Sequence, residues 1–217
     1  MNAIKYETIK ESIEAYKKYI DDHIKAVRYA AKTFGLPLAK AIEEKRDSAK
    51  EFNGYYQTLY NVVNSMVVDH DASKYEEYEF DQYRRYFYPS KEDLNTYTKD
   101  QINEDFNKAW FHHYNNNDHH PEYWSYLSTN KESNAIEKIY CKMPNSAFME
   151  MILDWIGVSI VLKSNVLDWW ENSNSGKAEK MKMLDKEDID TIEYFFHLIP
   201  NALDFTNCDI NLDHMQL

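Results

Sequence analysis

SAFMEMILDWIGVSIVLKSNVLDWWEN, residues 146–172, is the stretch on which the fold turns. Its apolar residues fall on every face of a helix, so it reads as one long helix buried all round, which needs other helices to cover it. The rest of the chain supplies them. Only four glycines and five prolines punctuate 217 residues, too few for the turns of an all-β protein, and stretches rich in Glu, Lys, Ala, Leu and Ile favour helix. The sequence therefore predicts an all-α bundle of six to eight helices in one domain, 1–217, with no clear signal in the tail from about 202 to 217.

Outward from that core, Ile9, Ile13, Tyr16, Ile20, Ile24, Val27 and Ala31 recur every three or four residues, an amphipathic helix that Gly35 is expected to end. Pro37 opens a second helix through LAKAIEEKRDSAKEF. A third carries Leu59, Val63, Met66 and Val67 and runs on into His70 and Asp71. A fourth covers YEEYEFDQYRRYFY and stops before Pro89. KDQINEDFNKAWFHHYNN forms a fifth, followed by a loop at NNND and a short helix at HHPEYW. Residues 132–144 have weak periodicity, NSNSG is a loop, and KEDIDTIEYFFHLI is the last helix, ending near Pro200. There is no internal repeat.

Charge narrows the partners. Lys+Arg of 25 against Asp+Glu of 37 gives −12, and the basic residues are interleaved with acids, so a nucleic-acid polymer is not expected to bind. No apolar run approaches the ~20 residues of a membrane span and no secretory h-region opens the chain, which predicts a cytoplasmic protein without a membrane partner. Cys141 and Cys208 form no C-x-x-C and read as ordinary buried thiols.

Six of the eight histidines fall in four clusters. His23 stands three residues after Ile20 and four before Val27, inside an apolar stripe; His70 follows Val63, Met66 and Val67 in the same way. His113 continues the stripe of Phe106, Ala109 and Trp110, whereas His112 aligns with Asp105 and Lys108 on the polar side. Asp154, between Met151 and Val158, directs a carboxylate into apolar surroundings, with Glu150 one turn earlier. An unpaired buried carboxylate costs several kcal/mol, and with no basic residue nearby in that helix a metal or a histidine is its natural partner. His119 and His120 precede Pro121 and are expected at a helix N-terminus, where an anion is welcome. Together these residues predict one buried divalent-metal site.

At His70–Asp71–Ala72–Ser73–Lys74 the chain resembles the HD-domain phosphohydrolase superfamily, whose ordered pattern H…HD…D falls here on His23, His70 with Asp71, and Asp154. The resemblance implies an HD-domain-like helical bundle, one metal held by those four residues, His113, His119 and His120 extending the site to a second or third ion, and Lys74 contacting a substrate phosphate. The spacing from His113 to His119 is shorter than in multi-metal members. The chain also resembles, over most of its length, a family found in bacterial and bacteriophage genomes, through H-D-x-S-K (70–74), H-x-x-x-N-x-H-H-P-E-Y-W (113–124, with Asn117 inside it) and E-M-x-x-D-W (150–155).

The reaction expected is hydrolysis of a phosphomonoester or phosphodiester of a small nucleotide or cyclic nucleotide signal by metal-activated water, with one to three ions of Mn, Mg, Fe or Zn. Asp71 and Lys74 carry the chemistry, Glu150 or Glu122 moves the proton, and Lys74, Asn117, Tyr123 and Trp124 contact substrate. Trp155 is assigned to core packing. The competing expectation is a protein that sequesters a nucleotide without turnover, as a phage counter-defence protein in the host cytoplasm would; a homo-oligomer is compatible with either. A di-iron carboxylate bundle is disfavoured because the chain has no Glu-x-x-His.

Overall fold

A computed structural model describes residues 6–46 and 54–215. These hold nine α-helices: α1 (Ile9–Lys45), α2 (Tyr55–Met66), α3 (Phe80–Phe87), α4 (Lys91–Thr96), α5 (Lys99–Asn116), α6 (Asn145–Leu162), α7 (Val166–Asn172), α8 (Lys177–Lys180) and α9 (Lys186–Leu198). One antiparallel hairpin joins β1 (Ser125–Thr129) to β2 (Ile136–Tyr140), with Leu127 opposite Lys138. The chain is thus predominantly helical; the count exceeds the expected six to eight because α4, α7 and α8 are too short to show a period.

The first helix starts where Thr8 and Glu11 form a capping box, the Glu11 N–H donating to Thr8 Oγ1 at 3.2 Å and the Thr8 N–H to Glu11 Oε2 at 3.0 Å. It does not end at Gly35. It runs on through Pro37 to Lys45, although proline removes one i→i−4 hydrogen bond. Burial offsets that loss: Leu38, Ala39, Ala41 and Ile42 lie in the main core. Gly35 serves close approach instead, since a Cβ there would stand 3.1 Å from the Tyr60 ring on α2 and 3.3 Å from Met149 on α6. The rest of the second helix expected after Pro37 lies outside the described residues.

Helix α6 is the centre of the core, with Phe148, Met149, Met151, Ile152, Leu153 and Ile156 all buried. It is long and apolar enough to cross a membrane by length and composition, contrary to the expectation that no run reaches that size, but 78% of it is buried inside the protein. The long helix read through to Asn172 is in fact two. Lys163 takes a left-handed conformation (φ 50°), the Ser164 N–H donates to the Ser159 carbonyl at 2.9 Å, and Asn165 then caps α7 by accepting from the Leu167 and Asp168 N–H groups. Trp155 packs against Trp169 and Trp170.

A second, smaller cluster joins Tyr16, Ile20 and Ile24 of α1 to Tyr83 of α3 and Ala109 of α5. Its outer edge is tied by Arg84, which donates to both Asp93 oxygens at 2.7 and 2.9 Å. Both cysteines are exposed, a correction of the buried-thiol expectation.

Where α1 crosses α6, a Cβ on Gly157 would lie 2.6 Å from Val27 Cγ2 and 3.0 Å from the Val27 backbone nitrogen. Gly157→Ala is expected to force the helices apart and cost about 1–3 kcal/mol, read as a lower midpoint in urea unfolding; an unchanged midpoint would show that the crossing tolerates a methyl group. Burial raises the Asp93 carboxyl, but hydrogen bonds from Arg84 and Ser90 outweigh it and hold the group down at about 2. A depressed carboxyl contributes stability above its unfolded value, lost as pH falls through the folded one. Asp93→Asn should therefore lower the melting temperature at neutral pH and flatten its decline between about pH 4 and pH 2.

Candidate metal centre

The His-Asp doublet does not continue α2, which ends at Met66. Arg28 of α1 donates to the Val67 and Val68 carbonyls that follow the helix, and the chain turns through Asp69 before a short 3-10 turn at Ala72–Tyr75. Asp71 sits at the bend with φ 55°, a conformation that aspartate tolerates better than most residues. This turn directs His70 and Asp71 into the protein from consecutive positions, which one helix face does not allow.

On one side, His23 Nε2 lies 3.1 Å from Asp71 Oδ2 and 3.1 Å from Asp154 Oδ1. His70 Nε2 lies 3.3 Å from His23 Nε2 and 3.3 Å from Asp154 Oδ1. On the other, His113 Nε2 and His119 Nε2 approach the second Asp71 oxygen, Oδ1, at 3.3 and 3.5 Å, and the His120 ring stacks edge-on to His113 with centroids 4.8 Å apart. His23, His70, Asp71 and Asp154 form one donor set, and Asp71, His113, His119 and His120 a second, with all donor atoms of each set within 4.8 Å of one another. Asp71 belongs to both. Donors arranged tetrahedrally around an ion at about 2.1 Å are about 3.4 Å apart, close to the 3.1, 3.3 and 3.5 Å separations above, so either set could hold a cation. Asp71 Oδ1, His119 Nε2 and His120 Nε2 are buried with no hydrogen-bond partner in the protein, the condition a cation would relieve.

Two carboxylates behind the histidines were legible only in part. Glu150, expected to transfer protons, accepts from His70 Nδ1 at 2.9 Å, so it orients that ring with Nε2 towards the centre. Glu79, which sequence reasoning did not single out, is fully buried and accepts from His113 Nδ1 at 2.8 Å and His112 Nδ1 at 2.7 Å. Its signal was its place one turn before Tyr83, at the entrance to α3.

The local field keeps the charges apart. Burial pushes Asp71 up, but Lys74, with Nζ 2.5 Å from Oδ2, together with His70 and His113 brings it well below the ordinary carboxylate range. Burial likewise opposes ionisation of His70, yet Asp71, Asp154 and Glu150 outweigh it and raise the imidazole to about 10. Burial lowers His119 to about 4, helped by the charge on His70, and holds His120 down as well. Neutral imidazoles are the form that ligates a metal.

A family model described as a family of unknown function, DUF5662, matches residues 12–198. The chain belongs to that family. No curated protein and no solved structure matches this DUF5662 member. The matched span contains both donor sets.

The remaining expectations divide. Lys74, Asp71, His113, His120 and Asp154 line a cavity of about 420 Å³. Asn117 is not among its lining residues; it donates to Ser73 Oγ and the His113 carbonyl, at 2.8 Å each, and so braces the site. No helix forms at HHPEYW: residues 118–124 are successive turns leading into β1, so His119 and His120 gain no helix dipole. The same turns hold Glu122, Tyr123 and Trp124. Trp124 donates to the Asp118 carbonyl and packs on the main core, Tyr123 is exposed, and Glu122 lies among the charges felt by Tyr114 and Tyr140. None of the three is among the residues that line the cavity.

Glu79→Gln should weaken metal binding at the His113 set by about 10–100-fold while sparing the His23 set, read by competition with a chelator. His112→Ala, which removes the second partner of Glu79 but keeps its contact with His113, should weaken the His113 set much less. Equal weakening of both sets would mean that Glu79 supports the fold rather than the His113 ring.

Proposed function

We propose that this DUF5662 protein binds divalent cations on the two donor sets that share Asp71 and, in an HD-domain-like arrangement, hydrolyses a phosphoester of a small nucleotide. The observation that carries the reading is Asp71 itself, each of whose oxygens faces a separate group of histidines, beside Lys74 in the lining of a cavity. Divalent cations at such a place supply Lewis acidity, lowering the pKa of water and drawing in phosphoryl oxygens. Asp71, Asp154 and the five histidines bind; Glu79 and Glu150 hold rings in register. Lys74, buried to 15% side-chain exposure, is placed to balance negative charge on a phosphoryl group, where it is worth most in a low-dielectric site. The phenols of Tyr16 and Tyr19, raised by burial, stay neutral beside it.

One observation favours the sequestering alternative. Among the described residues that line the cavity, the only carboxylates are Asp71 and Asp154, so no separate acid stands ready to move protons.

Turnover decides between them. Protein loaded with Mn²⁺ should release phosphate from, or open, at least one of a panel of nucleoside monophosphates and cyclic nucleotides. Asp71→Ala should abolish activity and metal binding together, whereas Lys74→Ala should lower activity by about 10²-fold, a few kcal/mol of charge stabilisation, with metal content unchanged. Tight nucleotide binding without turnover establishes sequestration, and metal binding with indifference to every phosphate ester would leave the centre a structural one.

A further inference from the structure

Five ionisable residues that line the cavity, Asp71, Lys74, His113, His120 and Asp154, are drawn together around Asp71. The other lining residues are Phe87, Phe106, Trp110, Val158 and Leu162 with four tyrosines. The cavity volume of about 420 Å³ lies in the range of about 300–1,000 Å³ typical of small-molecule sites. We infer that this cavity selects esters with a single phosphoryl group on a flat aromatic body, without regard to which base or ring that body is, and rejects di- and triphosphates. The inference rests on the phosphoester reading above and narrows it.

Charge gives the first argument. Lys74 is the one lysine or arginine among the described lining residues, and it is already paired with Asp71 at 2.5 Å. The cationic side-chain capacity of the site is therefore gathered beside Asp71. A second or third phosphoryl group would find no further lysine or arginine among the described lining residues, so whatever hydration it lost against the aromatic wall would go without a cation in exchange.

Hydrogen bonding gives the second. Reading a base edge requires several fixed donors and acceptors, and a site built that way rejects the wrong partner by leaving polar groups unpaired. No Asn, Gln, Ser, Thr or Arg occurs among the described residues that line this cavity. The neutral hydrogen-bonding groups of the lining are the phenols of Tyr16, Tyr19, Tyr83 and Tyr88 and the Trp110 indole; a phenol both donates and accepts, so it does not by itself separate one base edge from another. Stacking on aromatic side chains is by nature tolerant of ring identity.

The test is calorimetric titration of the Mn²⁺-loaded full chain with inorganic phosphate and with naphthylmethylphosphonate, whose P–C bond cannot be hydrolysed, followed by displacement of the phosphonate with AMP, GMP and ATP. The phosphonate should bind more tightly than inorganic phosphate, AMP and GMP should agree within about threefold, and ATP should be at least about tenfold weaker. Phe87, 44% exposed at the wall, can be truncated without opening the core; Phe87→Ala should weaken the phosphonate about fivefold or more and leave inorganic phosphate unchanged. Leu162→Arg, at a position 63% exposed, should narrow the gap between AMP and ATP. ATP competing as well as AMP, a tenfold or larger split between AMP and GMP, or a Phe87→Ala protein with unchanged phosphonate affinity would overturn the inference. If this selectivity is found and no ester is ever turned over, the hydrolase reading fails and the inference stands. If ATP is bound and hydrolysed in preference, the reverse holds, and if neither phosphate nor phosphonate binds, both fall.

Discussion

The contact between Val27 of α1 and Gly157 of α6 sets the geometry on which the rest depends. With no side chain at 157 the two backbones meet at a distance that any Cβ would obstruct. His23 lies one turn before Val27, and Asp154 three residues before Gly157, so the crossing that fixes the helices also fixes His23 Nε2 3.1 Å from Asp154 Oδ1. A glycine in mid-helix costs roughly 1 kcal/mol relative to alanine, and the approach it permits is the return. The small residues Ala26, Ala30 and Ala31 continue the same close face along α1.

That crossing places a polar centre at a seam. On α1, Ile20 and Ile24 belong to the smaller apolar cluster and Ala26 and Val27 to the main core, and His23 stands one turn before Val27, close to the changeover. Two carboxylates enter this dry seam from α6 and from the turn after α2, and neither could remain ionised there alone. Lys74 and His70 offset part of their charge, while His119 and His120 are kept neutral by burial. The result is a cluster whose positive partners are few and whose uncharged donors are many. A metal ion held there would satisfy both conditions, neutralising the acids and filling the unpartnered imidazole nitrogens.

The sequence disclosed the parts of this site that lie on helices. His23, His113, Glu150 and Asp154 each interrupt an apolar stripe of period three to four, and a polar residue on a buried face announces itself. The doublet and the 119–120 pair were recognised as residue types but placed wrongly, because each sits on irregular backbone: Asp71 in a left-handed bend, His119 and His120 in consecutive turns. Such conformations are fixed by tertiary contacts, as when Arg28 reaches across from α1 to the carbonyls before the doublet, and no local propensity encodes them. The same limitation hid the hairpin, whose strands carry Leu127 and Ile136 on exposed positions and so lack the alternation of a half-buried strand. Gly35 and Pro37 misled in the opposite direction, since both usually mark helix ends and here the packing of Leu38 and Ile42 carries α1 past them.

Helix α3 ties the metal-binding residues to the cavity wall. Glu79, the residue before its first turn, holds the His113 ring, and Tyr83, one turn on, packs edge-on against both His113 and Phe106 with centroids 5.8 and 5.6 Å apart. From α5, Phe106 and Trp110 contribute to the apolar wall while His113, three residues further on, turns to Asp71. One pair of packed helices therefore supplies both the orientation of the His113 ring and part of the cavity wall. A shift of α3 against α5 would alter the two together, whereas α1 and α6, locked at Val27 and Gly157, would keep the His23 and Asp154 half of the centre in place.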